Sequence, residues 1–215
     1  MRNRYFNALA YIDAQLGRLF AFLSGRGLLE RTVLVLSGDN GEAFYEHGFA
    51  GHAGPLYDEA VRVPLIVRAP GLAAGDDDRL AAHVDVPPTL LSVLGLPAHP
   101  GFQGVDILNA PADPRRSTYL VVQTAITEQL GLVRGGYKLI ADFDFDRYYL
   151  YDLERDPGER RDLSELEPER VARMAGRLHA FQRAQLGYYA NPAAQARHYA
   201  PLTSDEDPGG PAEPR

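Results

Sequence analysis

A helical pattern followed at once by a short, uninterrupted apolar run sets the architecture of this chain. Residues 5–23 carry apolar side chains at three- and four-residue intervals, which predicts a helix with one buried face. Residues 32–36 then read Thr-Val-Leu-Val-Leu, a pattern typical of a strand buried on both faces in a parallel sheet. A helix, a short loop and a buried strand in this order predict an α/β layer fold.

The same texture continues to about residue 110 and then changes. Residues 57–60 predict a short helix, residues 63–67 a second buried strand and residues 89–94 another helix. Four short apolar segments then predict an antiparallel meander with a tight turn at Gly135-Gly136. These segments are residues 119–123, 130–134, 137–141 and 148–153. Helical spacing over residues 168–186 predicts a helix that covers this sheet.

The chain is therefore predicted to consist of two folded parts and a tail. Residues 1–112 form the α/β part, and residues 113–190 form a small α+β subdomain of antiparallel sheet plus helix. Pro, Ala, Gly and acidic side chains dominate residues 191–215, which predicts a disordered tail.

Composition excludes several classes of function. A net charge of -7 argues against sequence-independent binding of nucleic acid, which depends on clustered Lys and Arg. An acidic chain that binds an anion needs a metal ion or a few focused basic groups. The absence of cysteine excludes thiolate metal sites and a cysteine nucleophile within this chain. No apolar stretch approaches the ~18 residues of a membrane span. The first residues lack a signal-peptide pattern, and the sequence does not indicate a cellular compartment.

The residues that carry chemistry follow the first predicted strand. Asp39 and Asn40 lie just past its carboxyl end, where open α/β sheets hold ligands. Their carboxylate and amide oxygens are hard donors that suit Ca²⁺ or Mg²⁺, and Gly41 permits a tight turn beside an ion. Calcium needs about six to eight oxygens, so other ligands must complete the site. A plain Asp-Asn-Gly turn is the competing interpretation.

Two histidines extend this loop. His47 and His52 are each flanked by glycine, and a histidine beside a divalent ion can donate to an anionic oxygen or act as a general acid. Ordinary surface histidines are the alternative; beside Asp39-Asn40 a functional role is favoured for His52 and stays open for His47. Glu59 and Arg62 have the spacing of a structural ion pair. Asp85 is interpreted as a turn or helix-start residue.

Several motifs in order then resemble the sulfatases of the alkaline phosphatase superfamily. The first is Ser37-Gly38-Asp39-Asn40-Gly41-Glu42, and Glu46-His47-Gly48, Gly51-His52 and residues 56–67 follow it. Residues 11–17 and 83–91 are similar to family helices, and residues 137–140 and 150–159 are similar to the family's small C-terminal subdomain. The resemblance spans roughly residues 5–185.

The resemblance implies both a fold and a site. The fold would be part of a sulfatase-like mixed α/β sheet flanked by helices, followed by the small antiparallel α+β subdomain. Asp39 and Asn40 would be ligands of Ca²⁺, with Mg²⁺ or another divalent ion as the alternative. His52 would be the catalytic residue that contacts the sulfate or the leaving-group oxygen, and His47 would bind substrate in the same pocket. The substrate would be a sulfated small molecule or glycan.

The chain departs from the family in one respect. Sulfatases carry paired aspartates and a Cys- or Ser-x-Pro-x-Arg motif whose first residue becomes the formylglycine nucleophile, and no serine here is followed by Pro-x-Arg. We therefore expect a fragment that is inactive alone, and its partner would be a missing N-terminal half or a second copy of the chain. A phosphoester or phosphonate hydrolase of the same superfamily and a non-catalytic binding or assembly module are the alternatives. Asn40 in place of histidine favours sulfate over phosphate.

Overall fold

The structure is a computed structural model that describes residues 1–125 and 127–200. The chain divides into two compact units between Asp77 and Asp78. The boundaries predicted near residues 112 and 190 refer to family domains, and they stay predictions.

The first unit contains two helices and four short strands. They are α1 (Arg2–Gly25), β1 (Leu34–Ser37), β2 (Ala43–Phe44), β3 (Ala50–Gly51), α2 (Asp58–Val61) and β4 (Leu65–Arg68). Strand β1 pairs antiparallel with β4, so that Ser37 lies opposite Leu65. Strands β2 and β3 form a separate small hairpin. The helices and strands predicted for this part of the chain are confirmed, with ends shifted by a few residues.

Two predictions about the first unit are wrong. None of the residues of α1 is buried, although a buried apolar face was predicted. Strand β1 was predicted to be parallel and buried on both faces, but its partner runs antiparallel and Leu36 stays 39% exposed. The physical reason is the same in both cases, because a two-stranded sheet offers too little apolar surface to cover a long helix or both of its own faces.

The second unit is built on a four-stranded meander. Its strands are β5 (Ser117–Gln123), β6 (Glu128–Arg134), β7 (Tyr137–Asp142) and β8 (Arg147–Asp152), paired antiparallel in chain order. Its helices are α3 (Val86–Val93), α4 (Pro168–Tyr189) and α5 (Pro192–Gln195). The meander and α4 were predicted, and so was the turn at Gly135 and Gly136, whose φ angles are 55° and 76°. Both values favour glycine.

Helix α4 and the sheet enclose the core of this unit. Leu132, Leu139 and Leu150 belong to three neighbouring strands and share one face of the sheet. All three are completely buried. Met174 and Leu178 of α4, one turn apart, pack on them. Burying each such side chain contributes about 1.5–3 kcal/mol.

Asp85 anchors the start of α3. Its side chain is fully buried, and one carboxylate oxygen accepts a hydrogen bond from the Ala82 amide at 2.7 Å. The other oxygen accepts from the Val105 amide at 2.9 Å and from the Arg116 guanidinium at 2.6 Å. Asp85 thus fastens the connector before β5 to the α3 end, which agrees with the structural role predicted for it.

The last described residues differ from the predicted tail. Helix α5 begins after Asn191, whose side-chain oxygen accepts hydrogen bonds from the Ala193 and Ala194 amides. Pro192 occupies the first helical position, where its missing N–H is harmless. The part of the predicted disordered tail at residues 201–215 lies outside the described residues.

Among the residues that the structure describes, no helix is both long enough and apolar enough to cross a membrane.

Candidate functional site

Asp39 and Asn40 occupy the loop directly after β1, and both are exposed. The Asp39 carboxylate accepts a hydrogen bond from the Asn40 amide at 3.0 Å, which fixes the local turn. Ser37, the last strand residue, donates its hydroxyl to the Pro64 carbonyl at 3.0 Å and thereby ties the start of the loop to the chain before β4. The two predicted metal ligands therefore stand at the carboxyl end of β1 and face solvent.

Gly41 brings this loop into direct contact with α2. Its amide donates to the Ala60 carbonyl at 2.8 Å. A Cβ atom at this position would lie 2.1 Å from the Glu59 carbonyl oxygen, so only glycine fits. The close approach fixes Asp39 and Asn40 relative to the helix that carries Glu59.

The β2–β3 hairpin determines the surroundings of His52. Ala43 pairs with Gly51, which places the preceding Glu42 opposite the following His52. The Nδ1 atom of His52 lies 2.9 Å from a carboxylate oxygen of Glu42. A carboxylate at Nδ1 favours a proton on that nitrogen, and the ring then presents Nε2 to a ligand. The His52 side chain is 59% exposed, so solvent or a ligand can reach it.

His47 lies at the tip of the same hairpin, but a residue of α2 fixes its side chain. Its Nδ1 atom is 2.7 Å from a carboxylate oxygen of Glu59, and its ring stacks on Tyr57 at 3.7 Å between centroids. The predicted Glu59–Arg62 ion pair is wrong, because Arg62 instead approaches Asp58 at 3.8 Å. One helical turn separates Asp58 and Arg62, which leaves Glu59 free of Arg62 and available to the histidine.

Glu46 joins the hairpin to α1. Its carboxylate accepts from the Phe44 amide and from the Arg2 guanidinium, the latter at 2.8 Å. The Phe44 hydrogen bond and the Arg2 charge together hold the pKa of Glu46 below its usual value. Glu46 is therefore ionised, and it stabilises the hairpin turn that carries His47.

The structure brings these residues together in two groups. Gly41 joins Asp39 and Asn40 by backbone contact to α2, which also holds His47, while Glu42 holds His52. In the described part of the chain no cluster of three or more His, Cys, Asp or Glu side chains could hold a metal ion. Asp39 and Asn40 supply hard oxygen donors of the right chemistry for Ca²⁺, but only part of the set that calcium requires.

Comparison with known proteins shows which proteins this chain is similar to. Residues 1–96 match the family model described as Sulfatase. An N-acetylglucosamine-6-O-sulfatase of Bacteroides thetaiotaomicron is 28% identical over 174 residues, which cover 74% of this chain and 31% of that protein. Human arylsulfatase K is 26% identical over 196 residues, which cover 84% of this chain and 36% of that protein. The chain is thus similar to sulfatases over most of its length, and its first 96 residues match the family model.

Solved structures confirm the sulfatase-like α/β fold class. A protein solved with its substrate D-glucosamine-2-N,6-O-disulfate matches with a TM-score of 0.73 and 26% identity, covering 87% of this chain and 40% of that one. The phosphonate monoester hydrolase of Agrobacterium radiobacter shares the fold at a TM-score of 0.66 and 22% identity, covering 80% of this chain and 39% of that one. The chain spans about a third of the length of the two curated relatives above, at 31% and 36%.

Three residues of this candidate site were not predicted from sequence. Glu42 orients His52, and Glu59 and Tyr57 hold His47. Glu42 and His52 flank the two short strands of the hairpin, so strand pairing could have placed them opposite each other. No local signal links Glu59 to His47, since the contact spans 12 residues and depends on how α2 packs.

Proposed function

We propose that this chain supplies part of the active site of a sulfuric ester hydrolase. The observation that carries the proposal is the loop after β1, where Asp39 and Asn40 stand exposed beside a hairpin with two carboxylate-held histidines. Similarity to sulfatases supports the reaction class, since the relatives named above are sulfatases. The substrate proposed is a sulfated saccharide or a smaller sulfate ester, by analogy with the sulfated glucosamine of the related structure.

Each residue has a proposed role. Asp39 and Asn40 would hold a divalent ion, Ca²⁺ before Mg²⁺, together with further oxygen donors. When bound, the ion would offset the negative charge of the sulfate group. As an imidazolium, His52 would donate its Nε2 proton to the leaving oxygen and keep the Nδ1 proton in the hydrogen bond to Glu42, which fixes the ring.

His47 is proposed to bind substrate rather than to transfer a proton. Its ring is stacked on Tyr57 and its Nδ1 is occupied by Glu59, so it is held more firmly than His52. Its side chain is 15% exposed, against 59% for His52. A fixed and partly buried histidine suits recognition of an oxyanion, because little rotamer freedom is lost on binding.

Calcium should bind this chain weakly and through Asp39 and Asn40. We expect a dissociation constant of about 10⁻⁴–10⁻³ M or weaker, because two oxygens are far from a full coordination set. Amide shifts in ¹H–¹⁵N spectra during a calcium chloride titration would measure it. The Asp39→Ala/Asn40→Ala variant should lose the response, and Asp13→Asn, an exposed change on α1, should keep it. Sub-micromolar binding would mean that the proposed ligand set is wrong.

The catalytic role requires a form of the protein that carries this stretch within a whole sulfatase fold. His52→Ala should lower kcat/KM for 4-nitrophenyl sulfate by about 10²–10⁴-fold, the usual worth of a general acid. Glu42→Gln should cost less and alter the pH profile, because it changes only the ring's partner. Arg18→Gln, exposed on α1, is the control.

The same measurement separates sulfate from phosphate chemistry. Assays with 4-nitrophenyl phosphate and a phenylphosphonate monoester run beside the sulfate. Preference for either phosphorus ester would favour the phosphonate hydrolase alternative, whose fold this chain shares. Full activity in His52→Ala would contradict the proposed role of this residue, and no turnover of any ester would favour a binding module.

A further inference from the structure

An open cleft in the second unit is lined mainly by arginine. It encloses a volume of about 90 Å³. Five of the eight lining residues carry a guanidinium group, and none of the eight is acidic. The lining consists of Pro114, Arg115, Arg134, Gly135, Arg170, Arg173, Met174 and Arg177, which we call the arginine cleft. All eight residues belong to the unit that begins at Asp78, and none belongs to the loop after β1.

Three different elements bring these arginines together. Arg170, Arg173 and Arg177 are spaced three and four residues apart on α4, so they share one face of the helix. Arg134 ends β6 where the glycine turn begins, and Arg115 comes from the connector before β5. A set drawn from a helix, a strand and a connector depends on the folded unit and not on a local run of basic residues.

Several of these side chains are held in place. The Arg170 guanidinium lies 3.8 Å from the centroid of the Tyr137 ring and bonds to Glu167. Arg134 donates to the Ser117 hydroxyl at 3.2 Å. Arg177 is only 3% exposed. Such groups lose little freedom when a ligand arrives, which is the usual cause of tight binding by a preformed site.

All the charged side chains that line the cleft are basic. The lining carries five positive charges, and two acidic side chains stand next to it: Asp113, 3.4 Å from Arg115, and Glu167 beside Arg170. The Arg115 amide hydrogen bond, aided by the charges of Arg115 and Arg134, holds the pKa of Asp113 below its usual value. Among the described residues, Arg173 has no recorded hydrogen bond or ion pair. In a chain of net charge -7, five arginines around one cleft are a local concentration of basic groups.

We infer that the arginine cleft binds a ligand through a sulfate or phosphate group. Guanidinium groups match such oxyanions because their planar fork donates two parallel hydrogen bonds. The chain has 21 arginines and one lysine, Lys138, and that lysine is buried elsewhere. Pro114 and Met174 add apolar surface for the body of a larger ligand. The site would recognise an anion without taking part in hydrolysis.

Binding to the purified chain tests this inference independently of any turnover. Probes are inorganic sulfate, inorganic phosphate, a heparin-derived sulfated disaccharide and its desulfated form, each titrated at low salt by ¹H–¹⁵N NMR. Arg115→Gln/Arg173→Gln removes two exposed cleft arginines, so the fold should be preserved. Arg183→Gln removes one exposed arginine from the same helix outside the cleft and is the matched control.

We expect shifts at Arg134, Gly135 and Arg173 with the charged probes, weakened at least about tenfold in the double variant and within about twofold in the control. Tighter binding of the sulfated disaccharide than of the inorganic ions would indicate a sulfated saccharide as the source of the group. The reverse order would indicate a free oxyanion. No shift at 10 mM of any charged probe, which is about a 3 kcal/mol bound on affinity, would overturn the inference. Equal weakening by Arg183→Gln would also overturn it, since it would show non-specific attraction.

Discussion

Replacing Glu159 by Gln should destabilise the second unit by about 3–5 kcal/mol, the usual cost of removing one member of a buried ion pair. Lys138 of β7 and Glu159 meet at 2.8 Å, and their side chains are 0% and 1% exposed. The variant keeps the shape of the side chain and removes its charge, so the Lys138 ammonium stays buried without that counter-charge. Urea denaturation followed by circular dichroism would measure the loss.

Lys138 also provides a second measurement at a single site. It is the only lysine in the chain, so an amine-reactive reagent can label only this side chain and the terminal amine. The parent protein should label at Lys138 only through opening of the unit, and Glu159→Gln should raise that rate by more than about 100-fold, the equivalent of 3 kcal/mol. The terminal amine provides the internal control for reagent activity.

A double variant separates the ion pair from other effects. Lys138→Met/Glu159→Gln should be less destabilised than the sum of the two single changes, because each charge is then removed together with its counter-charge. Strict additivity, or a Glu159→Gln variant within about 1 kcal/mol of the parent, would show that the pair does not stabilise the unit. The pair joins β7 to the turn after β8, and this turn leads to α4, which carries three arginines of the cleft.

The second unit was largely predictable from sequence because its order is local. Strands β6 and β7 are joined by the two-residue turn at Gly135 and Gly136, so the turn sets their register. Helix α4 follows from apolar spacing alone. The set of side chains that meet on the surface of this unit was not predictable in the same way. The arginine cleft combines Arg115 and Arg134 with arginines of α4, which begin 36 residues after Arg134 at Arg170. No periodicity in the sequence predicts that residues so far apart come together.

The first unit shows where sequence patterns fail. The apolar run before Asp39 predicted a buried parallel strand, yet its observed partner, β4, runs antiparallel and lies about 30 residues away. An apolar pattern reports what a segment could bury, and it does not report what surface is present to cover it. The positions of Asp39, Asn40, His47 and His52 in one short segment were predictable because the motif is contiguous. Their carboxylate partners depend on packing.

Replacing Gly41 by Ala should disable the candidate site while leaving the second unit folded. The new Cβ would lie 2.1 Å from the Glu59 carbonyl oxygen and 2.9 Å from the Glu59 carbonyl carbon. Backbone atoms cannot rotate away, so the loop must separate from α2 and the Gly41–Ala60 hydrogen bond must break. We expect the first unit to lose about 1–3 kcal/mol, with amide shifts at Asp39, Asn40 and His47. In a catalytically complete form, kcat should fall by about 10²-fold, the usual cost of a 1 Å misplacement.

Gly17→Ala provides the matched control, because it makes the same chemical change within the same unit. A Cβ at Gly17 meets nothing within 4 Å, and alanine favours the helix by up to about 1 kcal/mol. The two substitutions should therefore change stability in opposite directions, and only Gly41→Ala should alter the loop spectra. If Gly41→Ala left the shifts of Asp39 and Asn40 unchanged, contact with α2 would not position them. The divalent ion would then have to be held by a loop that moves independently of His47, and the proposed division of roles in the site would fail.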